Sequence, residues 1–290
     1  MAEIDDSPLR NPTGWPGHAL AAFCFAISVF HLVAALYPGL VSEFQRNVMH
    51  FGGFAILAAI LYPAWAGARD SRAWQWSDLA FGVLVALSGF WFVWNDTRLY
   101  GETQPFGPLD WAAAILLVVG ATELTRRVAG LVIPVLIVLS LTYIAEWGSM
   151  LEGVFEFRGF SWESTLWRSI YNDEGIFGTI ARISSTTVFL FIIFGAFLVR
   201  SGAGDFVIAL ATAIAGRVRG GPGIVAVISS GLTGTISGSA VANTASTGVI
   251  TIPLMKKAGF QPKFAGGVEA ASSTGGQLMP PIMGAGAFVM

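Results

Sequence analysis

Residues 220–290 constrain this chain most, because they place a dense run of small and polar residues inside a stretch apolar enough to enter a bilayer. They read GGPGIVAVISSGLTGTISGSAVANTASTGVITIPLMKKAGF, and close with EAASSTGGQLMPPIMGAGAFVM. Hydrocarbon cannot hydrogen-bond a freed backbone group, so such interruptions persist only where protein or a water-filled site satisfies them. In transporters those places hold substrate and coupling ions.

Composition agrees. Of 290 residues, 54% are hydrophobic and only 12% charged, and the mean hydropathy is +0.67. A soluble domain carries about 25% charged residues. A net charge of −2 and the absence of a basic tail give no reason to expect nucleic acid. The single cysteine, Cys24, lies in the first apolar run without metal-ligand spacing and reads as a small packing residue. The N-terminus is acidic and shows neither the basic start nor the cleavage site of a secretory signal, so the first run reads as a retained helix. Met290 falls inside an apolar stretch with no cap or anchor, which reads as the front portion of a longer protein.

Spans of roughly 20 apolar residues are needed to cross a bilayer. Ala19–Tyr37, His50–Trp65, Leu79–Trp94, Leu109–Thr122, Leu131–Ile144 and Ile183–Val199 qualify, with Trp and Tyr clustered near their ends as an aromatic belt. The fold class is therefore all-α, a polytopic membrane protein. Residues 1–148 form a scaffold module of four to five helices. Residues 149–182, rich in acid, read as an extramembrane linker with a short helix at Trp162–Tyr171. Residues 183–290, which open the second part, hold most of the broken-helix signal; 17 of the 35 glycines fall after residue 200. Lys and Arg near the spans place the N-terminus on the cytoplasmic side, together with Arg10, Arg69, Arg72, Arg126, Arg127, Arg200, Arg217, Arg219, Lys256, Lys257 and Lys263.

Ten Ser or Thr occupy the 23 positions from Ser229 to Thr251. The core runs from Gly234 to Thr244, flanked by two short apolar arms and bracketed by Pro222 and Pro253. This spells a re-entrant hairpin over 221–253, whose unwound carbonyls and hydroxyls can ligate a hard cation and whose helix N-termini can hold an anion. Close helix packing is the competing use of small residues, but packing motifs keep apolar residues between the small ones. A second interruption, Ala271–Pro281, predicts a helix broken within 262–290, because Pro280 and Pro281 remove donors and push Met279 out of the helical region. Glu269 is an acid at membrane depth, with a functional role or snorkelling to the interface as its alternatives. His31 and His50 read as lone histidines satisfied by backbone carbonyls. Glu123 and Glu146 are ordinary charges at span ends. Phosphate-loop, serine-hydrolase and zinc-protease sequences are absent, which argues against an enzyme.

With those residues in hand, the chain resembles the fused permease of tripartite ATP-independent periplasmic (TRAP) transporters, in which a small four-helix subunit joins the large subunit. The match is carried by Gly220–Phe260 and by FAGGVEAASSTGGQLMPPIMG. The resemblance implies an elevator-type, sodium-coupled secondary importer of small organic acids, dicarboxylate-like or keto-acid-like, in the bacterial inner membrane. It also implies a periplasmic substrate-binding protein and membrane lipid as partners, no cofactor beyond sodium as coupling ion, and a second inverted repeat downstream. Carried onto this sequence, it implies ion ligands among Ser237, Gly238, Ser239, Asn243, Thr244, Ser273, Thr274 and Gly275. Substrate contacts are implied at Thr235, Ser239, Asn243, Gly276, Gln277, Pro280 and Pro281. A non-transport membrane scaffold or an intramembrane enzyme is the alternative, distinguished by sodium-dependent binding.

Overall fold

The structure, a computed structural model, describes residues 9–69, 71–100, 105–216, 218, 220–280 and 283–284. Every regular element among them is helical. Among the described residues, five helical stretches are long and apolar enough to cross a membrane: Gly14–Leu36, Arg72–Trp94, Pro108–Ala129, Val132–Met150 and Thr179–Leu198. The chain divides into two compact units, 1–182 and 183–290.

In the first unit, α1 (Gly14–Leu36), α2 (Glu43–Leu61) and α3 (Arg72–Trp94) are followed by one turn, α4 (Asp96–Leu99), and then by α5 (Pro108–Ala129). The second apolar run begins earlier than hydropathy alone indicates. A capping box draws Glu43–Leu61 into one helix: Ser42 Oγ accepts from Gln45 N and the Gln45 side chain accepts from Ser42 N. Pro63 follows the helix and bars its continuation. Next comes α6 (Val132–Thr142), which passes into a π-turn at Tyr143–Trp147.

The segment read as an extramembrane linker contributes directly to the core. Its helix α7 (Trp162–Tyr171) has the predicted limits and buries Leu166 and Ile170 with Val48, Phe92, Leu117 and Phe177. Polar bonds fix it there. Trp167 Nε1 donates to Leu99 O at 2.8 Å, Tyr171 Oη to Phe92 O at 3.2 Å, and Phe106 N to Glu163 Oε1 at 2.6 Å. Asn47, fully buried, donates to Phe177 O at 2.9 Å.

At the other end of these helices the basic residues converge on one acid. Arg127 Nη1 donates to Asp78 Oδ1 at 2.7 Å, and Arg10 Nη2 lies 2.7 Å from Asp78 Oδ2. The Arg10 contact is poorly aligned for a hydrogen bond, so its attraction is coulombic. Arg10 also donates to Ala68 O, Ile60 O and Arg69 O, tying the residues before α1 to the end of α2. His31 and His50 are not lone histidines. His31 Nδ1 meets Ile27 O at 2.8 Å as expected, but its Nε2 lies 2.9 Å from His50 Nδ1. The two helices α1 and α2 bring together residues that sequence separation conceals. Cys24 lies on the exposed face of α1 rather than in packing.

The second unit begins within the stretch α8 (Thr179–Ile183), a π-turn at Ser184–Val188 and α9 (Phe189–Arg200). It continues with α10 (Ala203–Ala215), α11 (Gly221–Ser237), α12 (Ala240–Lys257) and α13 (Pro262–Gly276). Helix α10 packs on α11 through Ala211, Ala215 and Val225. Helices α11, α12 and α13 share Ala226, Met255 and Ala265, with Ile252, Phe260 and Val268 around them.

Candidate functional site

The polar run of residues 229–251 forms a helical hairpin with a very short tip. Ser229 through Ser237 complete α11, and Asn243 through Thr251 lie in α12. Only Gly238 and Ser239 separate the two helices. The long unwound tip expected from the sequence is therefore replaced by two helix ends meeting head to tail. Gly238 is the residue that allows it, turning the chain at φ 60°, ψ 2°, a left-handed conformation costly to any residue with a Cβ. Pro253 does not close the hairpin either; it lies inside α12, which runs on to Lys257.

Two helix ends at one turn provide both signs of partial charge. The last carbonyls of α11 lack intrahelical donors and the first N–H groups of α12 lack acceptors, giving a cation-friendly end beside an anion-friendly one. Ser237, Gly238 and Ser239 lie at this junction, and Ser239 O accepts from Asn243 N at 2.8 Å.

Helix α13 meets the hairpin through glycine. A Cβ on Gly234 would lie 2.5 Å from Gly276 Cα, and one on Gly276 would lie 2.8 Å from Ser230 O and 2.9 Å from Asn243 Nδ2. Backbone therefore touches backbone, a separation only glycine permits. After Gly276 the chain tightens: Gln277, Leu278 and Met279 donate to the carbonyls three residues earlier. Gly284 N then returns to Gln277 O at 2.7 Å. A Cβ on Gly284 would lie 3.4 Å from Gly238 O, so this turn abuts the hairpin tip. The helix thus ends where Pro280 and Pro281 predict. Pro281, and the expected resumption of the helix, lie outside the described residues.

The sequence candidates fall into distinct environments. Asn243 is fully buried and donates from Nδ2 to Ser230 O at 2.7 Å. Its Oδ1, and Thr233 Oγ1 on α11, are buried without a hydrogen-bond partner among the described residues. Gly276 is buried, while Thr244 and Gln277 are half-buried and Gly275 and Pro280 exposed. Two hydroxyls are turned to their own helices, Thr235 Oγ1 to Leu232 O at 2.6 Å and Thr274 Oγ1 to Ala270 O at 2.8 Å. Ser273 faces inward, towards Glu269.

Glu269 does not snorkel. It is fully buried, and its carboxylate accepts from four hydroxyls on three helices. On Oε1, Ser230 Oγ donates at 2.9 Å and Ser273 Oγ at 3.2 Å, joined by a close bond from Thr247 Oγ1; Oε2 accepts from Thr251 Oγ1 at 2.5 Å. Gly248 makes the room, since a Cβ there would touch Glu269 Cγ at 3.3 Å. Ser230, Thr247 and Thr251 escaped the sequence candidates. The signal was present, because Asn243, Thr247 and Thr251 recur every four residues and share one face of α12.

Residues 115–290 match the family model described as "Tripartite ATP-independent periplasmic transporter, DctM component". Among individual proteins, the chain is 34% identical over 106 residues to the C4-dicarboxylate TRAP transporter large permease protein DctM of Rhodobacter capsulatus, covering 37% of this chain and 24% of the relative. The Pseudomonas aeruginosa protein of the same description is 33% identical over 106 residues, covering 37% and 25%. The sialic acid TRAP transporter large permease protein SiaM of Vibrio cholerae is 31% identical over 108 residues, covering 37% and 25%. The chain thus spans about a quarter of the length of the curated relatives it matches. No solved structure gives a significant match. With more than half of a membrane-spanning helical chain, residues 115–290, fitting this family model, the protein belongs to the DctM family of TRAP transporter large permeases.

Proposed function

We propose that this chain is part of a sodium-coupled secondary importer of small organic acids in the bacterial inner membrane, loaded by a periplasmic substrate-binding protein. The family supports transport rather than catalysis, and relatives named for C4-dicarboxylates and for sialic acid support an anionic organic substrate. The observation that carries the reading is the junction of the hairpin with the end of α13. It combines the C-terminus of α11, the N-terminus of α12 and the buried, unpartnered Asn243 Oδ1.

In this reading the α11 carbonyls around Ser237 and Gly238, with Asn243 Oδ1, hold the coupling ion through oxygen. Thr244, Ser273, Thr274 and Gly275 border that site. The N–H groups opening α12 face the substrate carboxylate, with Thr235, Ser239, Gly276, Gln277 and Pro280 around it. An ion beside the carboxylate offsets part of its desolvation, which is a physical reason for coupling the two. Backbone packing at Gly234–Gly276 lets hairpin and broken helix move as one elevator element. The small-subunit-like role of residues 1–148 and a cytoplasmic N-terminus belong to the same proposal.

The test is uptake of labelled dicarboxylates and keto acids into proteoliposomes holding the full-length permease with its binding protein. Uptake is expected to need both an inward sodium gradient and the binding protein. Equal uptake in choline, or without the binding protein, contradicts the reading.

A further inference from the structure

The Glu269 cage is the one buried carboxylate of the second unit whose charge nothing among the described residues cancels. Its four partners are neutral hydroxyls, and no basic side chain among the described residues pairs with it. Hydrogen bonds stabilise a carboxylate without neutralising it, and an uncompensated charge at membrane depth is expensive. We propose that Glu269 is the anionic ligand of a second alkali-cation site, deeper in the bundle than the hairpin tip and fit for sodium.

The donor set suits such an ion. Glu269 Oε1 and Oε2 and the oxygens of Ser230, Thr247, Thr251 and Ser273 are all hard ligands, supplied by α11, α12 and α13. All five residues are essentially without solvent exposure. The hydroxyl protons also have somewhere else to go. Thr247 Oγ1 lies 2.8 Å from Asn243 O, and Thr251 Oγ1 lies 3.0 Å from Thr247 O. Each of these two threonine hydroxyls has one proton and two acceptors in reach. When a cation enters, those protons swing from the carboxylate to the helix carbonyls, and the hydroxyl lone pairs and carboxylate together face the ion. A second observation points the same way. Asn243, whose carbonyl and amide bond the cage residues Thr247 and Ser230, carries the buried, unpartnered Oδ1. It links the cage with the tip through these hydrogen bonds.

The site's part in transport rests on the reading above; its binding is tested separately. The purified full-length permease is unfolded thermally in choline chloride with increasing sodium, lithium or potassium chloride at constant ionic strength. Sodium is expected to raise the midpoint saturably, more than potassium does. Glu269→Gln is expected to raise the half-saturating sodium concentration at least ~10-fold, Glu269→Asp to restore part of it, and Ser239→Ala at the tip to leave the Glu269-dependent phase in place. A sodium titration of Glu269→Gln superimposable on that of the unaltered protein overturns the site, as does an unaltered protein indifferent to the identity of the cation. If Glu269→Gln is not monodisperse, Thr251→Val and Ser273→Ala decide by the same criterion. Uptake measured in parallel separates the two ideas. Sodium-driven uptake with unchanged activation in Glu269→Gln removes the site and leaves coupling intact. Sodium binding lost in Glu269→Gln while uptake ignores sodium removes coupling and leaves the site.

Discussion

Asn243 shows what a single side chain can be asked to do at this junction. Its amide nitrogen ties α12 to the Ser230 carbonyl of α11, while its oxygen is held in readiness. Asn243→Ala deletes both, and loss of one buried ligand of about 1–3 kcal/mol predicts a rise of roughly 5- to 150-fold in the sodium concentration for half-maximal uptake. A sodium titration of transport checks this; an unchanged midpoint separates Asn243 from the ion. Asp78 is the corresponding residue of the first unit. Removing one arginine from a buried pair costs on the order of 3 kcal/mol. Arg127→Ala is therefore expected to lower unfolding stability by about that amount, and Asp78→Ala combined with Arg127→Ala by less than the sum of the single changes. A double-mutant cycle of thermal unfolding in detergent measures it.

At the scale of elements, the hairpin depends on two glycine contacts of different kinds. Gly238→Val forces a β-branched residue into left-handed backbone and is expected to cost roughly 1–2 kcal/mol, opening the tip. Gly276→Ala instead drives a methyl group into Ser230 O and Asn243 Nδ2, prying α13 off the hairpin, so uptake is expected to fall well below half while membrane expression persists. Transport at the unaltered rate in Gly276→Ala removes the close packing from the mechanism. Much of this hairpin was legible in the sequence, because Gly, Ser and Pro at membrane depth have few other uses. The end of α13 at Gly276 followed from the proline pair. The helical state of the polar residues was not legible: Ser229, Ser230, Thr247 and Thr251 resemble loop formers by propensity, but packing between α11, α12 and α13 overrides it. Glu269 was legible as an oddity, and its four partners were not, since they come from three helices up to 39 residues away. In segment 149–182 the charged surface likewise hid the part that Leu166 and Ile170 take in the core.

For the whole molecule, the two-residue tip bears on topology. Helices α11 and α12 run back against each other, so Gly220 and Lys257 lie at one end of the hairpin and Ser239 at the other. In a Cys24→Ser background, a cysteine at Lys256 is expected to react with impermeant reagents from the cytoplasm and one at Ser239 from outside. Labelling of Lys256 only from outside reverses the topology. The arginines around Asp78 carry a further consequence, concerning synthesis rather than transport. Arg10 leaves the ribosome before Asp78, whereas Arg127 follows it by 49 residues. During insertion the acid therefore travels with one counter-ion, and gains the second only when α5 is complete. The ion pairs of the first unit can therefore be completed only after residue 127 has been made.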